Sequence, residues 1–234
     1  MTAQADGAFT VLVVCTGNVN RSALGHVLLD TWSHWYLPAE TARRVAITSA
    51  GLRAPEGSTM GRRARTIAEA LGADGSAHRA RQIDEGAIRK ADLVLVSSAQ
   101  QRESVLGLVP GALRSTFTIR EAGRIAGVFD TSEAPTTTDQ MRARVARLAE
   151  NRALASGTAD DDDIIDPQGR DDDAFRLMAR QEVPALTAIA ALLFGMPQPE
   201  AAAYAEAVEA SRFGLDGDPH VDGDPESQRG RRRA

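Results

Sequence analysis

Residues 9–22, FTVLVVCTGNVNRS, leave a chain few ways to fold. Phe9 to Val14 is apolar and β-branched, without Gly or Pro, which is the pattern of a short buried strand. Cys15 to Asn20 has turn chemistry, and Gly17-Asn18 can take positive φ. Ser22 to Trp35 then reads as a helix, with Leu24, Val27, Leu28 and Thr31 on one face. Strand, tight loop and helix in that order begin an α/β fold.

The same alternation continues downstream. Val45 to Ser49 is the next strand, ended by Ala50-Gly51, and Gly57 to Gly61 is loop. Arg62 to Leu71 is helical, stopped by Gly72, and Ile83 to Lys90 is a short helix. Leu93 to Ser97 is a continuous apolar run, the signature of a parallel strand buried on both faces. Helix Gln100 to Leu108, strand Thr116 to Ile119 and helix Met141 to Ala155 follow. A long helix from Phe175 to Leu193 contains Pro184, which predicts a kink or a split there. Strands alternating with helices imply a parallel sheet covered on both sides. The Thr- and Pro-rich segment Gly127 to Asp139 and the Asp-rich segment Ala159 to Asp173 read as irregular. The expected organisation is a flexible N-terminus (1–8), one domain (9–195) and a C-terminal tail (196–234), disordered from about residue 214.

The 234 residues, 43% of them hydrophobic, suffice for one domain with a proper core. A net charge of −5 provides no global cationic field for nucleic acid, and the Arg229 to Arg233 run is local and terminal. No apolar run approaches the ~20 residues that span a bilayer. Nor do residues 1–9 have the charge and apolar pattern of a signal peptide. A single cysteine allows no intrachain disulfide, which fits a reducing cytoplasm. A lone Cys is usually a small buried hydrophobe, so its neighbours must assign it any chemistry.

Those neighbours do so. Cys15 and Arg21 flank a loop between strand and helix. Backbone N–H groups of Thr16, Gly17, Asn18, Val19 and Asn20, with the helix N-terminus, converge on one concavity suited to an anion. The same positive field favours a thiolate at its centre. The planar fork of Arg21 can hold two phosphate oxygens, and the Ser22 hydroxyl can donate to the sulfur.

Cys15 to Ser22, CTGNVNRS, resembles the signature of the low-molecular-weight protein tyrosine phosphatase family, bacterial type. Thr48-Ser49-Ala50-Gly51 is similar to that family's second-strand segment, and His78-Arg79-Ala80-Arg81-Gln82 to its H-x-A-R-Q segment. The resemblance covers roughly residues 9–195. It implies a flavodoxin-like three-layer α/β sandwich with a four-stranded parallel sheet. It also implies a metal-independent phosphomonoester hydrolase that needs no cofactor and works through a phosphocysteine, with Ser49 and His78 supporting the phosphate loop. Asp166-Pro167 stands where the family carries its general acid. A phenolate leaving group needs that proton, and Pro167 favours an extended Asp166. The substrate implied is a phosphorylated protein, phosphotyrosine above all, or a small phosphomonoester.

The chain departs from the family pattern at four places. Asn20 replaces a second Cys, Ala23 replaces Pro, Gln168 replaces Tyr or Phe, and Leu52 to Pro55 lack an aromatic. The groups for chemistry remain, while the walls for an aromatic ring are reduced. Two other activities suit parts of the pattern: an arsenate reductase using an external thiol, and a weakly catalytic module that binds phosphorylated ligands. The Asp160–Asp163 run lacks the alternating spacing of a calcium loop and reads as solvated. His26 and His34 read as helix surface, and His220 as tail.

Overall fold

The computed structural model describes residues 7–131, 133–155, 159–210 and 213–215. Strands β1 (Phe9–Cys15), β2 (Val45–Gly51), β3 (Leu93–Val96) and β4 (Thr116–Thr118) form one parallel sheet of order β2-β1-β3-β4. The helices are α1 (Arg21–Tyr36), α2 (Ala39–Ala42), α3 (Arg62–Ala70), α4 (Glu85–Lys90) and α5 (Ala99–Leu108), then α6 (Ile119–Ala126), α7 (Thr138–Glu150), α8 (Ala159–Asp162), α9 (Asp172–Phe194) and α10 (Gln198–Glu209). The flavodoxin-like architecture expected from the sequence is the one observed.

Alternation along β1 sorts the core into two layers. Phe9, Val11 and Val13 join the larger cluster with α1, α6 and α9, including Leu28, Trp32, Ile125 and Leu186. Leu12 and Val14 face the other way, onto Val94, Val96, Ile88 of α4 and Val105 of α5. Both faces of the central strands are therefore dry, which explains their uninterrupted apolar sequence. β1 lies between β2 and β3, where the strand order reverses, so its C-terminal end opens into the crevice where such sheets bind ligands. Cys15 is the last residue of β1, in register with Gly51 of β2.

Three expectations need correction. Ile119 ends no strand: it opens α6, which the reading above passed over. Thr118 caps that helix and Glu121 returns the bond, a Thr-x-x-Glu box lying directly after the strand. A second box, Thr137 with Gln140, starts α7 at Thr138, ahead of the expected Met141. Helix α9 runs unbroken through Pro184, its buried Val183, Leu186, Ile189 and Ala190 anchoring both sides of the proline. By length and composition α9 could cross a membrane, yet most of it is buried in this fold.

The ordered chain continues past residue 195. Helix α10 packs on α9, the rings of Trp32 and Tyr204 lie 4.9 Å apart, and Phe213 and Leu215 are buried. Of the tail expected to be disordered from about residue 214, Gly214 and Leu215 are described, and of the flexible N-terminus of residues 1–8, Gly7 and Ala8; residues 1–6 and 216–234 lie outside the described residues, as does His220.

Candidate active site

Five helices, α4, α5, α6, α7 and α9, begin with a side chain that accepts from their first turn. Helix α1 does not: Asn20 precedes it with no side-chain cap. Its first amides are left for a ligand. The loop before it is ordered from outside. The carbonyls of Cys15, Thr16, Val19 and Asn20 accept from the amides of Leu52 (3.0 Å), Arg53 (2.8 Å), Gly61 (2.9 Å) and Leu24 (2.8 Å). The Asn18 carbonyl accepts from His78 Nε2 at 2.7 Å, which fixes the proton of that imidazole on Nε2. Among the described residues the amides of Thr16, Gly17, Val19 and Asn20 have no acceptor. Carbonyls held by partners and amides left unpaired suit the nest that an anion requires.

Gly51 explains how closely the neighbouring strand supports this loop. A Cβ there would stand 2.8 Å from the Thr16 carbonyl oxygen and 2.9 Å from the Asn18 nitrogen, so only glycine fits.

Hydrogen positions around the sulfur follow from Asn18, which is buried with φ 54°. Its Oδ1 accepts from the Arg81 amide at 2.9 Å, so its Nδ2 must donate to Ser22 Oγ, also at 2.9 Å. The Ser22 hydroxyl hydrogen is then free to point at Cys15 Sγ, 3.0 Å away. The Asn18 amide donates to the same sulfur at 3.2 Å. Two donors therefore converge on the buried sulfur.

Arg21 is buried, and its guanidinium holds the distant loop of residues 163–171 at two points. Nη2 donates to Asp166 Oδ2 at 2.5 Å and Nη1 to the Ile164 carbonyl at 3.2 Å, while Nε is buried without a partner among the described residues. Asp166 itself is half exposed at the mouth of the site. The structure therefore brings together every residue singled out by the sequence: Cys15 and Arg21, the loop Thr16 to Asn20, Ser22, and Asp166 more than a hundred residues further along the chain.

The loop that carries Asp166 is pinned along its length, and here the reading of Asp160 to Asp163 as a solvated run fails at Asp162 and Asp163, while Asp161 is exposed and the Asp160 side chain lies outside the described residues. Asp162 is ion-paired with Arg124 of α6. The Asp163 carboxylate accepts from the Ala99 amide at the start of α5 (2.7 Å), and its carbonyl from Arg120 (2.9 Å). Ile164 is buried and donates to the Ser97 carbonyl, and Ile165 donates to Gln181 Oε1. Short aspartates reach backbone amides that no longer-range pattern in the sequence announces.

Sequence reasoning missed four other residues. Gln101, oriented by the Ser97 amide on its Oε1, donates to Thr16 Oγ1 at 3.2 Å. His26 is no surface residue: its Nδ1 meets Ser49 Oγ at 3.2 Å and its ring stands edge-on to His78, centroids 5.9 Å apart. Burial, then the neighbouring His78, lowers the His26 pKa to about 4, so both rings are neutral behind the loop at neutral pH. His34 does lie on the exposed face of α1. Arg63 pairs with Asp172 at 2.5 Å and covers the Phe175 ring. Glu182 of α9 is fully buried against Gly25, one turn after Arg21, and neither carboxylate oxygen has a partner among the described residues.

Glu182 gives a stability prediction. Burial holds its pKa well above the usual carboxylate range, against the opposing pull of Arg21. The native state therefore keeps a proton that the unfolded chain releases near pH 4.5, and wild-type stability falls as pH rises from there. Glu182→Met removes both the unpartnered acid and that slope. Urea melts should show the variant more stable by about 1–3 kcal/mol at neutral pH. The advantage should shrink toward pH 4; equal advantage at both pH values would refute it.

Comparison with known proteins agrees with this geometry. The model of the family described as low molecular weight phosphotyrosine protein phosphatase matches residues 10–121, which ends before the Asp166 loop. The low molecular weight protein-tyrosine-phosphatase Ptp of Acinetobacter johnsonii is 31% identical over 107 residues, 46% of this chain and 69% of that protein. A protein-arginine-phosphatase of Geobacillus stearothermophilus is 29% identical over 149 residues, 61% of this chain and 95% of that one. The solved YwlE arginine phosphatase from the same species superposes with a TM-score of 0.53 at 25% identity, covering 87% of this chain and 97% of its own.

Proposed function

Because this chain belongs to the low-molecular-weight protein tyrosine phosphatase family, whose members are metal-independent phosphatases with a Cys nucleophile, we propose that Cys15 is that nucleophile, Arg21 the phosphate clamp and Asp166 the general acid. The observation that carries this reading is the sulfur's setting: two donors on Cys15 Sγ, in a loop whose other amides have no acceptor among the described residues. In the first step the Cys15 thiolate attacks phosphorus, the P–S bond forms as the P–O bond breaks, and the leaving oxygen takes the Asp166 proton. The loop amides and Arg21 hold the equatorial oxygens, where the charge sits. In the second step Asp166 takes a proton from water, which attacks phosphorus. The sulfur leaves as thiolate, stabilised by the Ser22 hydroxyl.

Asn20 at the position of a second thiol supports no disulfide relay, so the reductase reading gains nothing from the site. The single reactive thiol suits a reducing compartment, and we place the enzyme in the cytoplasm. The substrate side chain has two candidates. The tyrosine reading follows the family. The A. johnsonii and G. stearothermophilus relatives are named for phosphotyrosine and phosphoarginine substrates respectively, and no aromatic stands at residues 52–55 or 168 to stack on a ring. Beside the phosphate loop a cleft of about 800 Å³, lined by Asn20, Met60, Arg62, Gln168 and Phe175, has room for the flanking chain. Rapid mixing with p-nitrophenyl phosphate should release a burst of one p-nitrophenol per Cys15 ahead of steady turnover. Phosphotyrosine and phosphoarginine peptides of one sequence would then rank the substrates. No turnover of any of them, with tight vanadate binding, would leave only a phospho-ligand binding module.

A further inference from the structure

Two of the places where this chain departs from its family, Asn20 and Gln168, are the two ends of one hydrogen bond. Asn20 Nδ2 donates to Gln168 Oε1 at 2.9 Å, across 148 residues of sequence. Asn20 is buried in the phosphate loop, and a Cβ on Gly61 would collide with its Oδ1, so the amide sits against bare backbone. Gln168 occupies the first corner of a tight turn. The Arg170 amide donates to the Pro167 carbonyl at 2.9 Å, and Gly169 at the second corner has φ 71°. Pro167 and Gly169 fix the backbone of that turn, so the direction of Gln168 is preset. The Gln168 amide also donates to Asp166 Oδ1 at 3.2 Å, opposite the oxygen held by Arg21.

We propose that Asn20 and Gln168 form a latch that fastens the acid-bearing loop to the phosphate loop and so sets where Asp166 stands over the transferred phosphoryl group. Both are positioning residues: they act through Asp166, and the inference rests on the reading of Asp166 as the acid. A tyrosine-like ring at position 168 would wall the substrate; an amide there instead ties the two loops together. The latch joins elements that share no strand pairing, and the Asp166 carboxylate is otherwise exposed. Without it, Asp166 would stay paired with Arg21 or drift outward, and proton delivery would suffer most for leaving groups that need it most.

The test is a series of aryl phosphates of graded leaving-group acidity, with wild type, Gln168→Met, Gln168→Glu, Asn20→Ala and the double variant Asn20→Ala/Gln168→Met. Gln168→Met keeps length and loses the acceptor. Its kcat/KM, which reports the first step alone, should fall by roughly 2- to 12-fold on phenyl phosphate, the equivalent of one hydrogen bond. On p-nitrophenyl phosphate kcat/KM should hold near wild type. Gln168→Glu keeps an acceptor and should restore the wild-type dependence. The double variant should lose no more than the worse single one. A Gln168→Met series parallel to wild type, or additive losses, overturns the latch. Asp166→Asn in the same series separates the two readings. If it steepens the dependence while Gln168→Met does not, the latch alone fails. If Asp166→Asn does not steepen it, the acid assignment fails first.

Discussion

Cys15→Ser is expected to end phosphomonoester hydrolysis while leaving oxyanion binding in place. Loss of the nucleophile costs other covalent enzymes up to about 10⁶-fold in kcat, and a fall of at least ~10⁴-fold is expected here. The reason is that a serine hydroxyl at the floor of this loop has no base within the contacts described: Ser22 and the Asn18 amide face it as donors, and His26 and His78 stand behind the loop. Binding should survive because the unpaired loop amides and Arg21 are untouched. Vanadate should raise the melting temperature of the variant as it does that of wild type, and the p-nitrophenol burst should vanish. Turnover within tenfold of wild type would remove Cys15 from the mechanism.

Asp166→Asn is expected to produce the second-largest effect, and one that grows with the basicity of the leaving group. General acid catalysis is worth about 10²–10⁴-fold, and a tyrosine phenolate, with a pKa near 10, needs it far more than p-nitrophenolate does. Asn keeps an oxygen for Arg21 Nη2, so the salt-bridged geometry has a neutral substitute and the loop stays in place. The choice of control matters. Asp162 and Asp163 are tied to Arg124 and to the Ala99 amide, Asp171 caps α9, and Asp172 holds Arg63; replacing any of them disturbs structure. Asp173 is exposed and, among the described residues, paired with Arg176 on its own helix, so Asp173→Asn should leave kcat within twofold. A leaving-group dependence no steeper in Asp166→Asn than in wild type would move the search to other carboxylates.

The arrangement of α/β elements and the chemistry of the phosphate loop are local properties, and they were legible in order along the chain. Apolar runs mark strands that are dry on both faces, and CTGNVNRS carries the turn, the thiol, the clamp and the helix start within one short stretch. Even the overlooked helix α6 had its signal, Thr118-x-x-Glu121, hidden because it shares Thr118 with the strand before it. What tertiary structure alone decided are contacts between segments far apart in sequence. No local pattern states that Asp163 will accept from the first amide of α5, that Glu182 will be buried against Gly25 of α1, or that His26 will back the phosphate loop through Ser49. Each depends on how two packed elements meet, and a displacement of a few ångströms would break it. Asn20 and Gln168 make the point most sharply. Read singly, each is the loss of a familiar residue; folded, they are donor and acceptor of one bond.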